Sequence, residues 1–202
     1  MNANVIQQLK AIVGPQWVAT EKEDLICYGY DATPGFFNLP EAVVQPANKE
    51  EVAAILKLAG REKFPVYTRG SGTNLSAGTV PAQGGVVLST ARMNKILEVD
   101  PENWTAVVEP GVIVSELNAA VEKYGLIYPP DPGTVTTASI GGTVAENSGG
   151  LRGLKYGVTK HYVTGVEVVL ADGSIVEYGG RTPKAPGYDM VMLFTGSEGT
   201  LG

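Results

Sequence analysis

Only one cysteine, Cys27, and one histidine, His161, occur in the 202 residues. A structural zinc site needs four nitrogen or sulfur ligands, so these two cannot build one. They also make a poor nucleophilic pair: Cys27 lies in the apolar-aromatic segment LICYGY, where a buried cysteine acting as a small hydrophobe is expected, and His161 reads as a surface loop residue. No G-x-S-x-G elbow and no G-x-x-x-x-G-K-[ST] phosphate loop is present, which removes the strongest signals for a hydrolase and a P-loop nucleotidase. No apolar run approaches the roughly 20 residues needed to span a bilayer. The opening MNANVIQQLKAIVG lacks a basic region followed by an apolar core, so the expectation is a cytoplasmic chain without an export signal. A net charge of −6 argues against nucleic-acid binding, which requires clustered Lys and Arg. No internal repeat or low-complexity tract stands out.

Glycine, by contrast, is abundant at 26 residues, and it is concentrated. RGSGTNLSAG runs from Arg69 to Gly78, and PDPGTVTTASIGGTVAENSGG runs from Pro130 to Gly150. Either stretch alone could be an ordinary turn, since Gly, Ser and Asn are common turn residues. Two such stretches suit a pyrophosphate cradle, because glycine lets backbone N–H groups approach an anion without a Cβ in the way. Thr73, Asn74, Ser76, Ser139, Asn147 and Ser148 add neutral hydrogen-bonding groups. A dinucleotide fingerprint would need a third glycine at Leu75, so the Rossmann reading is weak.

Periodicity predicts a helix over Val5 to Val13. AVVQPANKEEVAAILKLAGREKFPVYTRG reads strand, helix, strand, with Asn48 as N-cap, Glu51 completing a capping box, and Val52, Ile55, Leu56 and Ala59 on one face. Its second strand leads directly into the Arg69 loop, as expected of a ligand loop at the carboxyl end of a strand. GGVVLST, KILEVD and TAVVEPG read as strands. A second helix is expected over Val114 to Tyr124, with Leu117, Ala120, Val121 and Tyr124 on one face and Gly125 ending it. VTGVEVVLADGSIVEYGG predicts a hairpin turning at Asp172-Gly173. The fold expected is α+β, with an N-terminal βαβ-containing lobe, a more antiparallel second lobe and a boundary near residues 90 to 95.

RGSGTNLSAG, then PPDPGTVTTASIGGTVAENSGGLRGLKYGVTKHYVTGVEVVLADGSIVEY, then LFTGSEGTLG, resemble the FAD-binding domain of the vanillyl-alcohol oxidase/PCMH flavoprotein superfamily, in the branch that holds the flavin-binding subunits of glycolate oxidase and the FAD-linked D-lactate dehydrogenases. The resemblance covers residues 40–202, leaving 1–39 as an N-terminal helical extension. It implies FAD between two lobes, with the pyrophosphate on residues 69–76 and the isoalloxazine toward residues 130–147. Carried over residue by residue, the implied contacts are Arg69, Gly70, Ser71, Gly72, Thr73, Asn74, Leu75, Pro132, Thr136, Ser139, Gly142, Asn147, Gly149, Gly150, Tyr156, Gly157 and Val163. Relatives with covalent flavin often have a histidine about where this chain has Thr73, so noncovalent FAD is expected.

The resemblance further implies oxidation of a D-2-hydroxy acid, glycolate or D-lactate, by hydride transfer to the flavin. Electrons would go to a separate acceptor such as an iron–sulfur subunit, an electron-transferring flavoprotein, a quinone or oxygen. The 2-hydroxy acid would bind only with a C-terminal cap domain that this chain lacks. The chain is thus expected to stop short of the FAD domain's end and, alone, to be inactive, with no catalytic residue assigned. Two alternatives stay open: a FAD subunit that passes electrons to partner chains, as in molybdenum hydroxylases, and a flavin-free scaffold. Arg69, Arg152, Lys155 and Lys160 are candidate counter-charges, each with a surface role as the plain alternative; Glu198 is expected to cap backbone amides.

Overall fold

The computed structural model describes residues 1–181 and 187–202, which divide into two compact units. Met1–Arg92 and Val169–Ile175, with Gly202, make the first; Met93–Val168 and Val176–Leu201 make the second. The α+β class expected from the sequence is what the chain adopts.

In the first unit a four-stranded sheet has the order β1-β2-β4-β3, formed by Val18–Ala19, Ala42–Val44, Val86–Ser89 and Val66–Arg69 respectively. β2, β4 and β3 are parallel, and β1 pairs antiparallel with β2. Helix α1 (Ala3–Val13) and helix α3 (Lys49–Glu62) cover one face. There Leu9 and Ile55 pack with Ala42, Val44, Val86 and Leu88. The opposite face, carrying Val43 and Val87, is covered by Leu25 of the short helix α2 (Lys22–Ile26), with Tyr28 and Leu39. Cover on both faces explains why β2 and β4 read as continuous apolar runs rather than alternating ones.

The start of α3 departs from the expected capping box in one bond. Asn48 accepts from the Glu51 N–H at 2.9 Å, but the Glu51 carboxylate accepts from the Ala47 N–H at 2.7 Å, one residue upstream of the cap. The buried face is Ala53, Ile55, Leu58 and Ala59. Leu56 is therefore a correction: the helix docks through Leu58, rotated from the face read off the apolar spacing.

The second unit is more antiparallel. β5 (Ile96–Asp100) pairs with β6 (Thr105–Val108) in an antiparallel ladder with an irregularity between Ile96 and Glu98. Helix α4 (Val114–Glu122) buries Val114, Leu117 and Val121, whereas Tyr124 is exposed. Gly125 ends this helix at φ +72°, and Leu126 N–H returns to Val121 O. β7 (Gly165–Val169) and β8 (Ile175–Gly179) form the expected hairpin, with Gly173 at φ +77° in its turn. The hairpin tip belongs to the first unit, where Gly173 lies against Ala53 and Lys57 of α3.

Three short helices of the second unit, like α2 of the first, were not legible in the sequence. α5 (Ile140–Glu146) lies inside the glycine-rich stretch, α6 is Gly153–Tyr156, and α7 is Met190–Phe194. α5 is aimed by an antiparallel bridge between Ile113 and Ser139, and its first turn is held by Ile140 N–H to Val112 O and Gly141 N–H to Pro110 O. A Cβ on Gly141 would sit 2.6 Å from Pro110 Cβ, so this helix approaches the 110–114 segment only through glycine. Among the described residues no helix is long and apolar enough to cross a membrane.

Leu9 is fully buried among α1, α3 and the sheet. Leu9→Ala should lower unfolding free energy by about 3 kcal/mol, read from the shift of a urea unfolding curve.

Candidate functional site

The first unit carries the Arg69 loop. Arg69, the last residue of β3, turns its side chain inward and is 7% exposed. Its Nη1 donates to Tyr30 O at 2.6 Å and Thr79 Oγ1 at 3.3 Å, its Nη2 donates to Cys27 O at 3.4 Å, and its guanidinium lies over the Tyr28 ring. Burial lowers the pKa of this guanidinium, and the nearby Asp31 carboxylate opposes that shift. The Arg69 guanidinium thus braces the loop from beneath.

Gly72 sits directly on that brace at φ +67°, and a Cβ there would fall on Nη2 and Cζ of Arg69. Gly70, Thr73 and Asn74 are half-buried, while Ser71 and Leu75 are exposed. Asn74 Nδ2 donates to Asp31 Oδ2 at 2.8 Å, and Thr79 Oγ1 donates to the same oxygen at 3.2 Å. Thr33 N–H donates to Asp31 Oδ1 at 2.8 Å, and Ala77 N–H donates to Thr33 Oγ1 at 2.8 Å. Among the described residues, the backbone N–H groups of 70–75 have no protein acceptor. A glycine-bearing run of such donors above a buried guanidinium can receive an anion through its backbone.

In the second unit the expected residues fall into two groups. Ser139 is the N-cap of α5 and accepts from Gly142 N–H at 3.3 Å; Pro132 is buried in the turn that precedes it. Asn147 ends α5 in the left-handed region and its Oδ1 accepts from Lys160 N–H at 2.9 Å. Ser148 O accepts from the Thr159 N–H and hydroxyl. Gly149 and Gly150 are exposed, and their N–H groups have no protein acceptor among the described residues. Gly150 cannot carry a side chain, because its Cβ would land on Asp131 O; Gly157, at φ +81°, is likewise filled by the His161 ring. These bonds bring Asn147, Gly149, Gly150 and Gly157 into one loop system. Tyr156 and Thr136 are exposed and Val163 half-buried, and among the described residues no hydrogen bond ties Thr136 or Val163 to that system; Tyr156 O accepts from the Tyr162 hydroxyl at 2.6 Å.

The GSEG block closes α5 from its other end: Gly196 N–H donates to Val144 O and Glu198 N–H to Ala145 O, both at 2.9 Å. Its backbone, rather than the Glu198 carboxylate, makes the cap. Among the candidate cations, Arg152 pairs with Asp131 at 3.4 Å and Lys155 lies over the Tyr156 ring. Cys27 is exposed, which corrects the expectation of a buried thiol; only its carbonyl is drawn inward, to Arg69. Sequence reasoning missed Asp31, Thr33 and Thr79. The D-A-T spacing, an Asp whose side chain accepts from the N–H two residues on, was the available signal.

A family model described as "FAD binding domain" matches residues 40–179. Glycolate oxidase subunit GlcD of Bacillus subtilis (strain 168) is 50% identical over 200 residues, covering 98% of this chain and 43% of that protein. A D-lactate dehydrogenase of Archaeoglobus fulgidus is 48% identical over 180 residues, covering 86% of this chain and 40% of that protein. Among solved structures, an alkyldihydroxyacetonephosphate synthase superposes with a TM-score of 0.88 at 26% identity, over all of this chain and 39% of that one. The chain spans about two-fifths of the length of the relatives it matches.

Gly150→Ala should destabilise the chain by about 1–3 kcal/mol through overpacking against Asp131, whereas Gly133→Ala, with open space at its Cβ, should change stability little; thermal unfolding compares them. Burial raises the Asp31 pKa, but the bonds from Thr33, Asn74 and Thr79 outweigh it and hold the carboxyl below its ordinary value. A depressed folded-state pKa adds stability above the unfolded value near pH 4 and loses it as pH falls through the folded one. Asp31→Asn should therefore cost more stability at pH 7 than at pH 3, measured by urea unfolding at each pH.

Proposed function

The chain belongs to the FAD binding domain family, and from that premise we propose that it is the FAD-binding portion of an oxidoreductase that oxidises a D-2-hydroxy acid such as glycolate or D-lactate. The observation that carries the reading is 50% identity, along nearly the whole chain, to a glycolate oxidase subunit. A D-lactate dehydrogenase at 48% identity supports the same substrate class, since glycolate and D-lactate are both 2-hydroxy acids. An iron–sulfur subunit or an electron-transferring flavoprotein is the proposed electron acceptor, and the cytoplasm the proposed location.

The residues present fit the cofactor. Among the described residues, the N–H groups of 70–75 in the first unit have no protein acceptor and suit a pyrophosphate, Gly72 lies close over the Arg69 brace, and in the second unit the N–H groups of Gly149 and Gly150 likewise have no protein acceptor. Bound FAD supplies the two-electron acceptor. What this chain contributes is binding and orientation: residues 70–75 hold phosphate oxygens through the backbone, while Asn147 and Ser148, bonded to Lys160 and Thr159, hold the amides at 149 and 150 in place. Arg69 acts from within rather than as a phosphate ligand, because its side chain is buried and three of its five N–H donors are held by Tyr30 O, Cys27 O and Thr79 Oγ1. Groups that bind the 2-hydroxy acid and accept its proton are assigned to a C-terminal cap domain of the longer protein.

The binding is noncovalent. Thr73 offers no attachment chemistry, and His161 Nδ1 is engaged as acceptor of the Val158 N–H at 3.1 Å. The purified chain should bind FAD saturably, followed by flavin fluorescence, and a folded Gly149→Asp variant should lose that binding by placing a carboxylate beside the free amides. Acid precipitation of the loaded protein should leave all flavin in the supernatant. No saturable binding by the folded wild-type chain would overturn the reading, and flavin retained in the pellet would overturn the noncovalent assignment.

A further inference from the structure

Residues 27–33 precede the stretch matched by the family model, yet they meet the Arg69 loop at several points. Asp31 is the centre of these contacts and is 7% exposed. Both of its oxygens are engaged within the protein: Oδ2 by Asn74 Nδ2 and Thr79 Oγ1, Oδ1 by the Thr33 N–H. Thr33 then accepts from Ala77 N–H at 2.8 Å, and Tyr30 O accepts from Arg69. An acid beneath an anion seat is electrostatically adverse if it faces the ligand. Here it faces the loop's own side chains and offsets the buried Arg69 charge, leaving the free backbone donors of 70–75 to set the polarity above.

We propose that Asp31 is a positioning residue for the FAD phosphate loop, acting through Asn74 and Thr79 to hold residues 70–79 in their anion-receiving shape. The proposal rests on the reading of that loop as the pyrophosphate seat. A buried charged acceptor with three donors fixes loop geometry more strongly than neutral turn contacts can. The segment 27–33 is accordingly part of the cofactor site, although it touches the cofactor only through the loop.

The test compares the full chain with Asp31→Asn, Asn74→Ala and their double variant, and with Ile55→Val as a control that trims the buried core of the same unit. Deuterium uptake is measured first without FAD. Asp31→Asn and Asn74→Ala should each raise uptake across residues 70–79 by about threefold while β2 and β4 stay protected, and Ile55→Val should leave the loop unchanged. FAD affinity by fluorescence titration should fall by about tenfold in either single variant and by no more than about twofold further in the double one, as expected of residues acting as one unit. Unchanged loop uptake in both single variants, or additive losses of affinity, would overturn the role of Asp31. Failure of the wild-type chain to bind FAD would overturn the functional reading instead, and uptake without FAD would still decide whether Asp31 orders the loop. Should Asp31→Asn not fold, Asn74→Ala breaks the same bond from the half-buried loop side and decides alone.

Discussion

Burial of a single guanidinium organises the first unit's loop. A buried arginine must have its donors met and its charge offset, since both penalties are large in a poorly solvated place. Tyr30 O, Cys27 O and Thr79 Oγ1 meet three of the five N–H donors of Arg69, and Asp31 supplies the opposing charge. From this the rest follows in order. The segment 27–33 is drawn against the loop, Gly72 is obligatory because the guanidinium fills the space a Cβ would need, and Asn74 and Thr79 are committed downward to the acid. Among the described residues the backbone N–H groups of 70–75 are left without a protein acceptor, and backbone N–H groups are what phosphate recognition by a glycine-rich loop uses.

The second unit reaches a similar outcome by close approach. α5 is fixed at its start by the 110–114 segment and at its end by Asn147 and the backbone of 196–198. Beyond it the chain passes so near Asp131 that only glycine fits at 150. Tyr128 packs against the core of this unit: burial raises its pKa, opposed by the hydroxyls of Thr143 and Thr159, and its ring meets Tyr162 edge-on at 6.2 Å. The two glycines left exposed, 149 and 150, follow Asn147 and Ser148, whose Oδ1 and carbonyl oxygen accept from Lys160 and Thr159.

Patterns of short range were legible in the sequence. The 3.6-residue periods of α1 and α4, the strand–helix–strand order around α3, the Asp172-Gly173 turn and both glycine-rich stretches could all be read directly. Contacts between distant residues could not. Apolar spacing on α3 pointed to Leu56 as a core residue, and only the position of the sheet selects Leu58. The glycines at 141 and 142 lower helix propensity, so α5 was hidden until the 110–114 segment and the 196–198 block supplied its end bonds. For the same reason Arg69 read as a counter-charge for phosphate: its partners lie about 40 residues upstream, at Cys27 and Tyr30. The exposed thiol of Cys27 went unread as well, because an apolar neighbourhood in sequence says little about which side chain a short helix end turns outward.

The central proposal is that backbone amides of the first unit's glycine-rich loop, not cationic side chains, receive a phosphate of FAD. Amide chemical shifts of the isotopically labelled chain, recorded as FAD is added, test it most directly. The account predicts that the largest changes within the first unit fall on the N–H groups of residues 70–75. Saturable FAD binding that leaves those amides unmoved would contradict it.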